Sequence, residues 1–225
     1  MLLLFDIDGT LLVRATDDHR DAVHAAVRRV WHVPHPEAAH IQPAGRTDPE
    51  IARAILLQNG VSAEQIDARM VDFKRAAAEE YVRLCSSDLS GFVVPGVVEV
   101  LSELAARPGV RLSLVTGNLE PIARLKLARA GIGAFFEPHQ GGFGSDHEDR
   151  TELPAIARAR AGRGRGEPYP REDTIVIGDT PLDIACARAD EVRCFAVTTG
   201  SYDANALAAA DAVVASPREL LPLLA

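Results

Sequence analysis

Two aspartates stand two positions apart in Asp6-Ile7-Asp8-Gly9-Thr10, directly after the apolar run Leu2-Leu3-Leu4-Phe5. Carboxylates this close repel, and the pair is tolerable where a divalent cation lies between them or one holds a proton. Both conditions suit phosphoryl transfer. One carboxylate attacks phosphorus, while the other protonates the leaving oxygen and later activates water. Gly9 permits a sharp turn, and Thr10 adds a hydroxyl among free backbone N–H groups, a setting that can bind an anion. The plainer alternative is that Asp6 and Asp8 only cap that turn. A second group, Leu114-Val115-Thr116-Gly117-Asn118, sets a hydroxyl between an apolar run and a helical pattern, where it can donate to a phosphate oxygen. Thr-Gly-Asn is equally an ordinary helix entry. The third group, Ile177-Gly178-Asp179-Thr180-Pro181-Leu182-Asp183, brings another acid pair. Mg²⁺ takes octahedral oxygen ligands and keeps several waters, so one or two of these carboxylates with Asp6 suffice. Asp179 reads as a metal ligand, whereas Asp183 reads equally as a ligand or as the cap of the next helix.

Each group follows a short apolar run, and similar runs recur at 112–115, 174–177, 194–197 and 212–214. These read as strands buried on both faces. Helical patterns lie between them: one over 97–106 after Pro95-Gly96, another that Asn118 can cap and that stops at Gly131. Buried strands alternating with helices predict an α/β, Rossmann-like parallel sheet whose ligands bind beyond the carboxyl ends of the strands. From about residue 16 to 90 the rhythm changes. Val23, Val27, Val30 and Trp31 form one helical stripe, and Ile51, Ala54 and Ile55 a second, entered by Asp48 and Pro49 as cap and first turn. A third helix starts at Ser62, with Gln65 completing a capping box, and carries Ile66, Met70, Phe73, Ala77, Tyr81 and Leu84 on one face. The reading is an all-helical cap domain over 15–90, inserted in a core made of 1–14 and 91–225. The stretch 162–171, rich in Gly, Arg and Pro, reads as an exposed loop.

The chain has 225 residues, 47% hydrophobic, with a formal net charge of −8. That supports a sizeable core and excludes wholesale disorder. A general nucleic-acid binder needs a basic face, which this charge argues against. Cys85, Cys186 and Cys194 lack metal-ligand spacing and an even count, and read as buried thiols in a reducing cytoplasm. The N-terminal apolar run is too short to be a signal or to span a membrane.

Asp6, Asp8 and Thr10 match Asp-x-Asp-x-Thr, Thr116 matches a Ser/Thr at a strand end, and Gly178, Asp179 and Asp183 match Gly-Asp-(x)3–4-Asp. In this order the chain resembles the haloacid dehalogenase superfamily, in its phosphoglycolate-phosphatase-like group with a helical cap. The resemblance covers nearly the whole chain. It implies a Mg²⁺-dependent phosphatase in which Asp6 is the phosphoryl-accepting nucleophile and a metal ligand. Asp8 is the general acid/base and binds the metal through its carbonyl, Asp179 and Asp183 complete the metal site, and Thr116, Gly117 and Asn118 hold the phosphate. Asp8 favours phosphoryl transfer, since dehalogenating relatives lack the second aspartate.

The sequence departs from the family where a lysine usually precedes the last motif, for Ser145–Pro154 contains Arg150 instead. An arginine neutralises the same charge and grips phosphate bidentately. The rival, Lys126, lies about two turns inside a helix, roughly 10 Å from the strand end at ~1.5 Å per residue, so Arg150 is preferred. Arg46, in Gly45-Arg46-Thr47-Asp48, reads as a candidate substrate contact or a solvated residue. His19, His24, His32, His35 and His40 show no metal pattern and read as surface or boundary residues. The expected partner is a small phosphorylated metabolite, with no nucleic acid or membrane and oligomeric state open. The reaction expected is hydrolysis of a phosphate monoester through an aspartyl-phosphate. A phosphomutase of the same family is the alternative, and a non-catalytic phosphate- or partner-binding protein or a phosphoacceptor domain fits less well.

Overall fold

The computed structural model describes residues 1–224. Six strands form one sheet in the order β3-β2-β1-β4-β5-β6, every neighbouring pair parallel. They are β1 (Leu2–Phe5), β2 (Arg111–Thr116), β3 (Gly142–Phe143), β4 (Thr174–Gly178), β5 (Arg193–Val197) and β6 (Ala212–Val214). Leu2, Leu3 and Leu4 have no exposed surface, because β1 is central and covered on both faces. Burying each such leucine contributes on the order of 2 kcal/mol. Phe5 lies beside Leu114 on one side and Ile177 on the other. That register brings the ends of β1, β2 and β4, and hence all three motifs, to one edge of the sheet. The two-residue β3 was not foreseen: Gly142 and Phe143 are too few to show a periodicity, and they pair only with Val115 and Thr116.

Helices α1 (Asp17–Trp31), α2 (Asp48–Gln58) and α3 (Ala63–Leu84) all lie between β1 and β2. The chain leaves and rejoins the sheet layer at Leu12 and Val93, which form an antiparallel bridge. Apolar stripes of α1 and α3 face each other, with Trp31 tilted on Phe73 at 5.9 Å between ring centroids. The capping box of Ser62 and Gln65 is present. At α2 the cap is Thr47, whose hydroxyl accepts the Glu50 N–H, so Asp48 is the first helical residue rather than the cap. The hydrophobic cluster runs without a break from Phe5 and Leu114 under the sheet to Val23, Ile55 and Phe73 in the helical segment.

The remaining helices are α4 (Val97–Ala106), α5 (Glu120–Arg129), α6 (Leu153–Ala161), α7 (Pro181–Ala189) and α8 (Leu220–Leu223). Leu119, not Asn118, caps α5, which corrects the expected helix entry and leaves the Asn118 side chain for other partners. In 162–171, Gly162 and Tyr169 are buried while Arg163, Gly164, Gly166, Glu167 and Pro168 are exposed. No helix among the described residues is long and apolar enough to cross a membrane. The three cysteines are free and buried.

Candidate active site

Beyond the sheet's carboxyl edge lies a cavity of about 540 Å³, walled on one side by Asp6, Asp8, Gly117, Asn118, Arg150 and Asp179. The other wall comes from the helical segment, through His19, Val23, His24, Arg46 and Ile51, with Arg14 just before it. Such dimensions suit a small organic ligand.

Asp6, 4% exposed, accepts a contact from Arg150 Nη2 at 3.2 Å. The same nitrogen donates a very short bond to Asp183. Oxygens of Asp6, Asp179 and Asp183 lie within 4.8 Å of one another, and all three residues are buried. Gly9, at φ +93°, turns the chain tightly against the Asp179 carboxylate, where a Cβ would collide with it. Burial, together with the neighbouring Asp183 and Asp8, pushes the Asp6 carboxyl up to about 6 despite Arg150. Burial, Asp6 and Asp183 push Asp179 up to about 8. Three acids crowded round one guanidinium fit a divalent cation, since oxygen donors at this spacing lack positive charge rather than ligands.

Asp183 takes part in the cap of α7 and also lies in the group of acids that could hold a metal. Its Oδ2 accepts the backbone N–H of Thr180 at 2.9 Å and the Thr180 hydroxyl at 2.7 Å in a capping box on α7, while Oδ1 faces Arg150. Thr10 donates its hydroxyl to Asp179 at 3.2 Å rather than opening it to the cavity. Thr116 has no exposed surface, and its hydroxyl accepts from the Asn118 amide at 3.1 Å.

Asp8 is set apart from this cluster. Lys126 Nζ, fully buried, donates to Asp8 Oδ1 at 2.8 Å and Oδ2 at 2.6 Å. Asn118 Nδ2 donates to Oδ2 at 2.9 Å. Burial would raise the Asp8 carboxyl, but the Lys126 ammonium and these hydrogen bonds hold it below the usual carboxylate range. The Asp8 side chain is therefore outside the carboxylate group that can hold a metal.

The expectation that Lys126 lies too far away is corrected here. Helical side chains tilt toward the helix N-terminus, and a flexible four-carbon stem spans the axial distance back to the strand ends. Arg150 and Lys126 are both at the site, on different carboxylates. Arg46 lines the cavity but is paired with Glu50 at 2.8 Å. His19 is 8% exposed, not a surface residue: its Nδ1 lies 3.0 Å from Lys126 Nζ and its Nε2 3.0 Å from Asp48 Oδ2. A sequence signal for this existed, since His19 is four residues before Val23 and eight before Val27 on the same helical stripe.

The helical segment is also pinned to the sheet edge. Asp48 N–H donates to the Gly117 carbonyl at 2.9 Å, and a Cβ on Gly117 would strike the carbonyl oxygen of Arg46. Thr47 donates to the Glu148 carbonyl at 2.6 Å, Arg53 grips the Glu148 carboxylate and Lys74 donates to the Ser145 carbonyl at 2.8 Å. These contacts hold the loop that leads into Arg150.

Residues 3–188 match the family model of haloacid dehalogenase-like hydrolases. The chain is 28% identical over 227 residues to phosphoglycolate phosphatase 1 of Pseudomonas aeruginosa, covering 98% of this chain and 78% of that one. It is 26% identical over 203 residues to a phosphoglycolate phosphatase of Pseudomonas fluorescens, covering 88% and 70%. Among solved structures, CbbY from Rhodobacter sphaeroides in complex with phosphate superposes with a TM-score of 0.65 at 22% identity, covering 97% of this chain and 95% of that one. With the motif order, the parallel sheet and the family match together, the chain belongs to the haloacid dehalogenase-like hydrolases, among their phosphoglycolate-phosphatase-like phosphatases.

Proposed function

We propose that this enzyme hydrolyses a small phosphate monoester with Asp6 as nucleophile and Asp8 as general acid/base. The observation that carries the reading is the division between the two carboxylates. Asp6 stands beside Arg150 and the buried acids, while Asp8 stands beside Lys126 and Asn118, and both face one cavity. Asp6 attacks phosphorus, and as the bond to the alkoxide breaks Asp8 gives that oxygen its proton. Asp8 then takes a proton from water, which attacks the aspartyl-phosphate and frees Asp6 and inorganic phosphate. Asp8 Oδ2 already accepts from two donors and Oδ1 from one, so Oδ1 is the oxygen with room to carry the proton. Asp6, Asp179 and Asp183 would hold Mg²⁺, which supplies the positive charge that lets acids and phosphate share the site.

Arg150 Nε and Asn118 Oδ1 are buried without hydrogen-bond partners among the described residues. The unpaired guanidinium N–H is a donor for a phosphoryl oxygen, and the Asn118 amide an acceptor for a hydroxyl of the ester. Residues 15–90 act as a cap that excludes water and chooses the ester, with Arg46 on its wall. Because the relatives above are named phosphoglycolate phosphatases, 2-phosphoglycolate heads the list of candidate substrates. Free buried thiols agree with a cytoplasmic enzyme.

The test is release of inorganic phosphate from a panel of small esters, with Mg²⁺ and with EDTA. Metal-dependent release that Asp6→Asn abolishes, with the fold retained, is the expected result. Turnover by that variant would remove Asp6 as nucleophile. Isomerisation of a sugar phosphate without phosphate release would make the enzyme a mutase.

A further inference from the structure

We infer that Lys126, His19 and Asp48 form one positioning device for Asp8, through which the helical segment sets the aim of the catalytic carboxylate. The inference rests on the acid/base reading of Asp8 and adds three residues to it.

The contacts close into a loop through three helices, to which Asp8 is attached at Lys126. Lys126 on α5 donates to both Asp8 oxygens and lies 3.0 Å from His19 Nδ1 on α1. His19 Nε2 meets Asp48 Oδ2 on α2 at 3.0 Å, and that oxygen also accepts the Leu119 N–H at 2.8 Å, at the start of α5. Leu119 caps the helix that carries Lys126, so Asp48 and Asp8 are both bound to α5. All the inner members are nearly sealed from solvent: Lys126 is 0% exposed, Asp48 2% and His19 8%. Tyr81 on α3 packs edge-on against the His19 ring at 5.6 Å between centroids, fixing the ring plane.

Hydrogen-bond counting assigns the roles. An ammonium has three hydrogens and accepts none. Lys126 has three acceptors in reach: Asp8 Oδ1, Asp8 Oδ2 and His19 Nδ1. His19 must then accept at Nδ1 and carry its hydrogen on Nε2, which it donates to Asp48. The ammonium has no hydrogen left for a phosphate, so Lys126 orients Asp8 and does not grip the substrate. Two of the three helices in the loop are the first and second helices of the inserted segment. If that segment shifts, His19 and Asp48 shift with it, and the ammonium that holds Asp8 loses one of its three anchors. The reach of Asp8 toward the ester oxygen thereby depends on the seating of the insert, at a place where small misplacement is costly in rate.

The experiment compares two esters in single-turnover reactions of the full-length enzyme with Mg²⁺, following release of the alcohol or phenol. One ester is the alkyl phosphate that the wild type turns over fastest, whose alkoxide needs a proton on leaving. The other is p-nitrophenyl phosphate, whose phenolate does not. His19→Ala and Asp48→Asn are expected to slow the alkyl ester by about 10- to 100-fold, part of what a placed acid contributes, with p-nitrophenyl phosphate slowed less than about threefold and KM little changed. His19→Asn, which keeps an acceptor near Nδ1, is expected to recover part of the loss. Should His19→Ala fail to fold, the nearly isosteric Asp48→Asn carries the test. Equal slowing of both esters, or none, overturns the device. Asp8→Asn is the control: if it too treats the esters alike, the acid/base reading fails, whereas discrimination by Asp8→Asn without discrimination by the other variants refutes the positioning device alone.

Discussion

Removing divalent metal should make the folded state lose stability as pH rises from about 4 to about 8, a direction set by the buried acids. Asp179 is lifted from its ordinary 3.8 to about 8 and Asp6 from 3.8 to about 6, both chiefly by burial. A carboxyl whose folded pKa lies above its unfolded value favours the fold while protonated, and that advantage disappears as pH climbs through the folded value. For Asp179 the loss is on the order of 5 kcal/mol by the time pH passes 8, and for Asp6 about 3 kcal/mol by neutrality. Asp8 runs the other way, because its folded value is depressed: its contribution is present above the unfolded pKa and is lost only as pH falls below it. The window from pH 4.5 to 8.5 therefore leaves Asp8 out, while His24, pushed below its ordinary value chiefly by burial, works there in the opposite direction and equally with and without Mg²⁺. A bound divalent cation removes the penalty on the ionised acids, and binding at a hundred times Kd adds about 2.7 kcal/mol. The assay is thermal unfolding at fixed ionic strength in EDTA and in excess Mg²⁺. The Mg²⁺-induced rise in Tm should grow with pH to on the order of 10 °C, and Asp179→Asn should flatten the EDTA curve. A rise in Tm that is the same at pH 5 and pH 8, or no rise, would refute the carboxylates as one metal site.

Three further variants probe other parts of the molecule. Arg150→Ala leaves Asp6, Asp179 and Asp183 without their guanidinium, so it should cost about 3–5 kcal/mol in EDTA by urea unfolding, and Mg²⁺ should restore more stability to it than to the wild type. Gly117→Ala puts a Cβ into the Arg46 carbonyl and should push the 45–48 loop from the sheet edge, lowering kcat/KM by about tenfold or more while Tm falls by only a few degrees. Arg158→Ala, outside the cavity lining, removes a buried two-point grip on Asp190 and a bond to the Tyr169 carbonyl. It should cost about 3–5 kcal/mol of stability and leave kcat/KM of the folded fraction unchanged.

The strands that place the site were legible because they lie inside a parallel sheet, where burial on both faces writes continuous apolar runs such as Leu2-Leu3-Leu4-Phe5. The α3 cap and stripe were legible for the same local reason, since a capping box and a 3.6-residue period are written in consecutive residues. Contacts between elements distant in the chain are not written that way. Lys126 was discounted on axial rise alone, which counts backbone and ignores where a long side chain can reach. His19 shows no metal-ligand spacing, and its place on the apolar stripe marks it as buried. Asp183 reads as ligand or cap because one carboxylate has two oxygens, and in the fold one caps α7 while the other pairs with Arg150. β3 left no trace because two residues carry no period.

Arg150 and Lys126 both reach the site, on different carboxylates, and each suits its own place. Arg150 is 5% exposed among three acids, two of which are pushed toward higher pKa by burial and then by each other's charge. A cation in that position must keep its charge whatever the acids do, and a guanidinium is the side chain that cannot lose its proton there. One of its nitrogens reaches both Asp6 and Asp183, joining the end of β1 to the cap of α7. Lys126 has a different setting, with one carboxylate, one imidazole acceptor and no exposed surface. A compact ammonium with three hydrogens matches those three acceptors, whereas a planar fork of five donors would leave at least two buried and unpaired. The two positions are thus not interchangeable. Charge at Asp6 is met by a group that cannot lose its proton and charge at Asp8 by one that fits its acceptors, and the two aspartates are pushed in opposite directions, Asp6 up by burial and Asp8 down by the Lys126 ammonium against burial.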